Sequence, residues 1–160
     1  WNAVAQLYAV AYSIKFNCKA EDMDFKVPKM EGIWWVDGGL EEQHKMPNTP
    51  KEEWNWKFMI RMPDFVEGDH FYRAIQKVKL KNPDLIKSDE VKLELINEGR
   101  CIQILHVGSY DNEEANVMKI IDFATQNGLQ INGYHHEIYL SDPRKTAEEK
   151  LKTIIRYSVK

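Results

Sequence analysis

The sequence predicts an α+β fold. In this fold two modules side by side form a mostly antiparallel sheet, with helices on one face and a ligand groove on the other. Apolar residues repeat with helical spacing in some segments and alternate as in strands in others. The order helix, strand, strand occurs at 1–62 and again at 112–159. The second copy follows a predicted strand pair at 91–107. Nothing precedes the first copy, so we expect an N-terminal strand to be missing from it.

The first module contains two helices and two strands. Apolar residues spaced three and four apart predict a helix over 1–15 with one buried face. Segment 26–36 is typical of a strand and is closed by Asp-Gly-Gly, whereas the polar segment 40–53 contains two prolines and predicts a loop. A second strand is predicted over 54–62, and a helix over 66–80 is stopped by Asn-Pro-Asp.

The second module opens with a predicted hairpin, because 91–97 and 101–107 alternate around the turn Asn-Glu-Gly-Arg. Asp111 and Glu114 have the spacing of a capping box and predict the start of a helix. That helix should end at Asn127-Gly128. Its predicted buried face consists of Val117, Met118, Ile121 and Ala124.

Two strands and a short helix complete the second module. Segment 133–141 predicts a strand, and 153–159 predicts the last one. Between them, Thr146 and Glu149 have the spacing of a second capping box, which predicts a helix of one to two turns. The whole chain is therefore expected to be one domain over 1–160, with a first module at 1–81 and a second at 90–160.

Composition and motifs exclude several function classes. The net charge of −3 argues against a nucleic-acid binder, and no apolar run approaches the length of a membrane span. The isolated cysteines Cys18 and Cys101 give no disulfide framework and favour a reducing cytoplasm. No Cys/His metal spacing or nucleotide-binding motif occurs, and neighbours such as His135 and His136 diverge on a strand. We therefore expect neither a metal nor a cofactor.

The segment 133–144 carries the most informative side chains. On a strand, His135, Glu137 and Tyr139 point to one face, while Ile138 and Leu140 point to the other, where we expect helices. Glutamate is disfavoured in strands, so Glu137 needs a reason. It lies either on a solvated sheet face or in a cleft, where it would act as an acid or base or attract a cation.

Aromatic residues are dense on the first two strands. Trp34, Trp35, Trp54 and Trp56 fall within 23 residues, and Tyr110 precedes the second module's helix. Large amphipathic rings suit a concave ligand site or a cation-binding cage, but they also suit a core. Trp34 and Trp35 must face opposite sides of their strand, so both roles are expected.

Three segments together resemble the stand-alone GyrI-like proteins: Glu-Gly-Ile-Trp-Trp at 31–35, Trp-Lys-Phe-Met-Ile-Arg at 56–61 and His-His-Glu-Ile-Tyr-Leu-Ser-Asp-Pro-Arg-Lys at 135–145. These proteins are similar to the effector-binding domains of multidrug-sensing bacterial transcription activators. The resemblance implies tandem strand–helix–strand–strand modules around a groove that binds lipophilic, often cationic, aromatic compounds over a buried acid. The implied acid is Glu137. The chain shows no helix-turn-helix, so a transcription activator is not supported.

Some stand-alone members are similar to hydrolases that open the cyclopropane of electrophilic natural products. In that case Glu137 would be the catalytic carboxylate, and Tyr139 or Tyr110 would supply the hydroxyl. The residues expected to contact a ligand are Trp34, Trp35, Trp56, Met59, Tyr110, His135, Glu137 and Tyr139.

Three hypotheses remain open. The chain is a binding module that sequesters or senses hydrophobic cationic compounds, a detoxifying hydrolase that uses the same groove, or a partner-binding protein whose tryptophans form an interface. A monomer or a homodimer is expected, with a small molecule rather than nucleic acid or a membrane as the partner.

Overall fold

A computed structural model of the chain describes residues 2–85 and 90–160. In these residues the chain forms three α-helices and five strands, with short 3-10 helices between them. The helices are α1 Asn2–Ala20, α2 Gly68–Lys81 and α3 Glu114–Gln126. The strands are β1 Met30–Trp35, β2 Asn55–Ile60, β3 Cys101–Val107, β4 His135–Tyr139 and β5 Lys152–Ser158. The 3-10 helices are Leu40–Asn48, Lys51–Glu53, Tyr110–Asn112 and Glu148–Lys150.

The described strands form one sheet in the order β2-β1-β4-β5-β3, and the pairings β1–β4, β4–β5 and β5–β3 are antiparallel. The predicted α+β fold with an antiparallel sheet is therefore confirmed. The order β3, α3, β4, β5 is the strand–helix–strand–strand order that the resemblance implies. Within the described part of the chain, no helix combines the length and apolar character that crossing a bilayer requires.

The chain divides into two compact units, which are described separately. Unit 1 consists of the described residues of Trp1–Met30 and Phe58–Ile96, and unit 2 consists of Glu31–Lys57 and Asn97–Lys160. In unit 1, α1 packs against α2. Small and β-branched residues fill the contact: Val10, Ile14, Cys18, Ala74, Ile75 and Val78 are all buried.

In unit 2 the strand register determines which side chains share a face of the sheet. Glu137 is paired with Gly32 on β1 and with Ile155 on β5, and Ile155 is paired in turn with Ile104 on β3. Paired residues point to the same face, and residues two apart along a strand do as well. We call this the Glu137 face.

Helix α3 packs on the Glu137 face. Its buried residues are Ile120 and Ala124, and its contacts are with β3 and β5. Asn116 at the start of α3 lies 3.0 Å from His106 Nδ1, and His106 belongs to the Glu137 face through its pairing with Thr153. The expectation that the helix packs against Ile138 and Leu140, opposite Glu137, is therefore wrong for this unit. The apolar residues against which α3 packs belong to β3 and β5 rather than to β4.

Several local predictions also differ from the structure. The predicted strand at 91–97 is absent: among the described residues of the expected hairpin, only 101–107 is a strand. The Asp111 capping box does not form. Ser109 caps the short helix Tyr110–Asn112 instead, and α3 begins at Glu114 without a side-chain cap. Met118 and Ile121 are exposed rather than buried, since the helix is rotated toward Ile120.

The other differences are smaller. Helix α1 continues to Ala20, and the predicted loop at 40–53 contains two 3-10 helices. The segment after Thr146 is a 3-10 helix, Glu148–Lys150, with Ala147 at its N-cap, so the second capping box is wrong. The end of α3 is as predicted, because Gly128 follows Asn127 with a left-handed φ of 65°.

Candidate functional site

Strand β4 places three functional side chains on the Glu137 face. His135, Glu137 and Tyr139 alternate with Ile138, as the sequence predicts for a strand. His135 and Glu137 are 8% and 7% exposed, so two ionisable groups are buried side by side. Buried charges are stable only when they are paired and hydrogen-bonded, so their partners decide what the site can do.

The partners of His135 are a second glutamate and a tyrosine. His135 Nε2 lies 2.9 Å from Glu137 Oε1 and 3.5 Å from Glu113 Oε2. His135 Nδ1 lies 2.8 Å from the hydroxyl of Tyr157 on β5. Glu113 immediately precedes α3 and is 6% exposed. We call Glu113, His135 and Glu137 the Glu–His–Glu cluster.

Burial and charge act against each other in the cluster. Burial by itself lowers the pKa of His135, but hydrogen bonds to Glu113 and Glu137 outweigh it and raise that pKa well above its ordinary value. Burial raises the pKa of the Glu113 carboxyl, and the charge of Glu137 adds to this, while the bond to His135 opposes it. The two carboxylates thus share one imidazole.

A group of half-buried aromatic rings adjoins the cluster through Tyr139, whose hydroxyl is hydrogen-bonded to Glu137. The Trp34 indole Nε1 donates a hydrogen bond of 2.9 Å to the Tyr139 hydroxyl. The rings of Tyr110 and Tyr139 meet edge to face with centroids 6.0 Å apart, and those of Trp34 and Trp54 do the same at 6.3 Å. We call Trp34, Trp54, Tyr110 and Tyr139 the aromatic rim. Burial, followed by the charge of Glu137, raises the pKa of both tyrosines.

The segment that follows β1 positions one wall of the rim. The Gln43 side chain holds both the amide and the carbonyl of Val36, at 3.0 and 2.9 Å, and so fixes the end of β1. Trp54 Nε1 donates to the Thr49 carbonyl at 3.0 Å. Lys51 forms an exposed ion pair with Asp111, which joins this segment to the one that bears Tyr110.

The structure brings together five of the residues expected to contact a ligand: Trp34, Tyr110, His135, Glu137 and Tyr139. Trp35 points to the other face, where its ring lies 5.6 Å from that of Tyr134. Trp56 is exposed on β2, and Met59 belongs to unit 1, so their roles remain predictions.

A second histidine cluster lies on the opposite face. His136 is buried between two acids: its Nδ1 lies 2.7 Å from Glu98 Oε1 and its Nε2 lies 2.8 Å from Glu31 Oε2. Arg156 donates to Glu98 Oε2 at 3.0 Å. Burial lowers the pKa of His136, but the bonds to Glu31 and Glu98 raise it overall. Adjacent residues of β4 therefore hold separate ionic groups on the two faces of the sheet.

Sequence reasoning missed Glu113, Tyr157 and the placement of Trp54 in the rim. Glu113 precedes a predicted helix, where acids are common for reasons of helix stability alone. Tyr157 lies two residues after Ile155 and four after Thr153, so it shares their face, and this could have been predicted once the register was known. In the described residues, Glu113, His135 and Glu137 also form a group whose possible metal-ligand atoms all lie within 4.8 Å of one another.

Cavity shape alone would point elsewhere. Two surface depressions, of about 650 and 320 Å³, are lined by residues of unit 1, and neither includes a residue of the cluster or the rim. We assign the candidate site to unit 2 because buried ionisable groups beside half-buried rings carry chemistry that an open depression lacks.

The family to which the chain belongs is defined by its whole length. The chain belongs to the GyrI-like small-molecule-binding domain family, which matches residues 2–160. The family assignment made from the motifs is thus confirmed. A comparison with curated proteins finds no match.

Solved structures of longer proteins from Listeria innocua are similar over nearly the whole chain. An uncharacterised conserved protein is 38% identical with a TM-score of 0.85, over 99% of this chain and 79% of its own. A protein named a hydrolase is 37% identical with a TM-score of 0.83, over 99% of this chain and 78% of its own. A further structure named a hydrolase has 36% identity and a TM-score of 0.84, with the same coverage of 99% and 78%.

Proposed function

We propose that this chain binds lipophilic aromatic small molecules that carry a positive charge, above the Glu–His–Glu cluster and against the aromatic rim. The observation that carries this proposal is Glu137, a buried carboxylate that shares His135 with Glu113 and is hydrogen-bonded to the half-buried Tyr139. In this role the chain would sequester or sense such compounds in the bacterial cytoplasm. The free thiols of Cys18 and Cys101 are compatible with that compartment.

The chemistry of the two layers is complementary. Flat rings such as those of Trp34 and Tyr110 bury the apolar surface of an aromatic ligand and attract a cation through their faces. The carboxylates below would attract the same charge in a region where little water screens it. A neutral apolar ligand would gain only the first contribution, so the site should distinguish ligands by charge.

Access to Glu137 requires the rim to move, because the carboxylate is 7% exposed. The Lys51–Asp111 pair, which joins the segments bearing Trp54 and Tyr110, is exposed on both sides. Exposed ion pairs contribute little free energy, at most about 1 kcal/mol. Opening this connection would therefore cost little of the binding free energy.

The test is a titration of tryptophan fluorescence with a flat aromatic dye that carries a fixed positive charge. We expect saturable quenching with the wild-type chain. Trp34→Phe should weaken dye binding and reduce the quenched signal, whereas Trp35→Phe should leave the affinity unchanged because Trp35 lies on the other face of the sheet. Free tryptophan serves as the control for the inner-filter effect. Equal behaviour of the two variants, or no saturation up to millimolar dye, would contradict the proposal and favour the interface hypothesis.

A second candidate function is a hydrolase for strained electrophilic compounds such as cyclopropane-containing natural products. Two structural relatives are named hydrolases, and Tyr139 contacts both Trp34 and Glu137. Here Glu137 would orient the water that attacks a cyclopropane carbon and take up its proton. The cyclopropane C–C bond breaks, its electron pair passes to a conjugated carbonyl oxygen of the ligand, and the Tyr139 hydroxyl would stabilise the phenolate that forms, which then takes up a proton.

Turnover separates the two candidates. If the second is right, a cyclopropane-containing electrophile should be converted to its hydrated product by the wild-type chain, and Tyr139→Phe should slow conversion by about 10²-fold or more. Chromatography of the product with time measures this. Tyr134→Phe, on the opposite face, is the matched control. Binding of the electrophile without conversion would reject the hydrolase and leave the binding function in place.

A further inference from the structure

We propose that the Glu–His–Glu cluster is a binding site for a divalent first-row transition-metal ion, with Glu113, His135 and Glu137 as its protein ligands. The donor atoms would be the imidazole Nε2 of His135 and one carboxylate oxygen from each glutamate. This inference does not depend on the proposed function. It rests on four features of the cluster, each of which can be examined separately.

The donor atoms converge on one point. A four-coordinate zinc site has metal–ligand distances of about 2.0–2.2 Å, which places its donor atoms about 3.4 Å apart. In this cluster His135 Nε2 lies 2.9 Å from the Glu137 oxygen and 3.5 Å from the Glu113 oxygen. One ligand atom from each of the three residues fits within 4.8 Å of the others. The bound geometry would require the widest of these separations to close from at most 4.8 Å to about 3.4 Å.

Glu113 contains an oxygen that lacks a partner. Its Oε1 is buried and has no hydrogen bond within the described part of the chain. The whole residue is only 6% exposed. Leaving a buried polar atom unsatisfied costs about 1–3 kcal/mol, and more for a charged group. The other oxygen of the same carboxylate, Oε2, already faces His135 Nε2. A cation bound between these groups would satisfy a carboxylate that the protein itself leaves incomplete.

The orientation of the imidazole suits a metal ligand. His135 Nδ1 is held at 2.8 Å by the Tyr157 hydroxyl, so the opposite nitrogen, Nε2, faces the two carboxylates. Metal-binding histidines usually engage their second ring nitrogen in such a hydrogen bond, which fixes the ring and the tautomer. Tyr157 is thus placed to support the ligand without contacting the metal.

The cluster on the opposite face shows that two glutamates beside a histidine are not enough to form a metal site. His136 uses both ring nitrogens on its acids, Nδ1 toward Glu98 and Nε2 toward Glu31. The two carboxylates are therefore separated by the width of the ring, and Arg156 already engages Glu98. The donor atoms diverge there, whereas at His135 they meet at Nε2. The proposal applies to the Glu137 face alone.

The donor set indicates the kind of ion. One imidazole nitrogen and two carboxylate oxygens suit Zn²⁺, Mn²⁺, Fe²⁺ or Co²⁺. Ca²⁺ requires six to eight oxygen ligands, which these three side chains do not supply. Three protein ligands leave at least one coordination position for another group. A metal and an organic cation would compete for Glu137, so the test is made without an organic ligand.

The test is calorimetric titration of the full, chelator-treated chain with Zn²⁺, together with the visible absorption of added Co²⁺. We expect one equivalent of each ion to bind, and Glu113→Gln and His135→Gln to abolish saturable binding. Tyr157→Phe should weaken binding by about 10–100-fold, as loss of a partner of a ligating histidine does. Glu98→Gln and His136→Gln are the matched controls from the other face and should bind as the wild type does.

Three results would overturn the proposal. One is the absence of saturable binding up to millimolar ion in the correctly folded wild type, as judged by circular dichroism. Another is an equal loss of binding in the variants of both faces. The last is a Co²⁺ spectrum with thiolate charge-transfer bands, since it would place the ion at Cys101 or Cys18. A cationic dye that binds despite any of these results would leave the proposed small-molecule function intact.

Discussion

Replacing Glu137 by glutamine weakens the binding of a flat aromatic cation by about ten- to hundredfold, because the substitution keeps the shape of the side chain and removes its charge. A hydrogen-bonded contact with a buried charged group contributes about 1–3 kcal/mol, and each 1.4 kcal/mol is a factor of about ten in affinity. A neutral ligand of the same shape loses little, since its contacts are with the aromatic rim. The contribution of the Glu137 charge is therefore measured by how much more affinity the charged ligand loses than the neutral one.

Fluorescence anisotropy of the charged dye, and displacement of that dye by its neutral analogue, measure this difference. Glu31→Gln is the matched control. Glu31 is also a carboxylate bonded to a β4 histidine, but it contacts His136 on the opposite face of the sheet. Its substitution should change neither affinity. An equal loss for both ligands in Glu137→Gln would show that this residue supports the structure of the site rather than its charge.

Ile155→Ala should lower the free energy of unfolding of the chain by about 2–5 kcal/mol, the range for deleting a buried aliphatic side chain. Ile155 is 0% exposed and lies between Glu137 and Ile104 in the strand register. It belongs to the bed on which α3 packs, so the cavity opens beneath the helix that follows Glu113. The loss includes both the transfer of the removed atoms and the residual cavity.

Urea denaturation followed by circular dichroism measures this loss. Leu105→Ala is the control, because Leu105 is an aliphatic residue of the same sheet that is 52% exposed on the opposite face. Its substitution should change stability by about 0.5 kcal/mol or less. A similar loss of unfolding free energy in the two variants would mean that α3 does not cover Ile155 as its contacts with the sheet indicate.

The part of the site that lies on one strand could be predicted from the sequence. Alternation along β4 predicts that His135, Glu137 and Tyr139 share a face, because the side-chain period of a strand is independent of its neighbours. The motifs predict the family as well. The helical spacing of α1 and α2 is equally local, and these helices form close to where they are expected.

The part that depends on pairing between strands could not be predicted. Ile138 of β4 and Leu140, which directly follows that strand, are apolar, so the pattern of this segment alone places the helix on their side. The register shows that β5 and β3 supply the apolar residues of the Glu137 face, through Ile155 and Ile104. The polar residues of β4 thus share the Glu137 face with the apolar residues of β5 and β3. Glu113 was missed because its contact with His135 exists only once α3 lies on that face.

The predicted strand at 91–97 fails for a related reason. Its alternating apolar residues satisfy the local pattern, but Leu95 is fully exposed and Ile96 is also exposed, so no second surface from the described residues covers them. Alternation indicates a strand only where one face is buried against another element. The sequence of this segment shows the alternation of apolar residues, but it does not show whether another element covers them.

The two ionic clusters on either side of β4 have a consequence for how such a site can change over evolutionary time. A slip of one residue in a strand would exchange its faces, which here would move His135 and Glu137 away from Glu113, and His136 away from Glu31 and Glu98. Each cluster therefore specifies the register independently of the other. If ligands bind on the Glu137 face as proposed, a substitution there would still leave His136 and its two acids to hold the register of β4 from the opposite face.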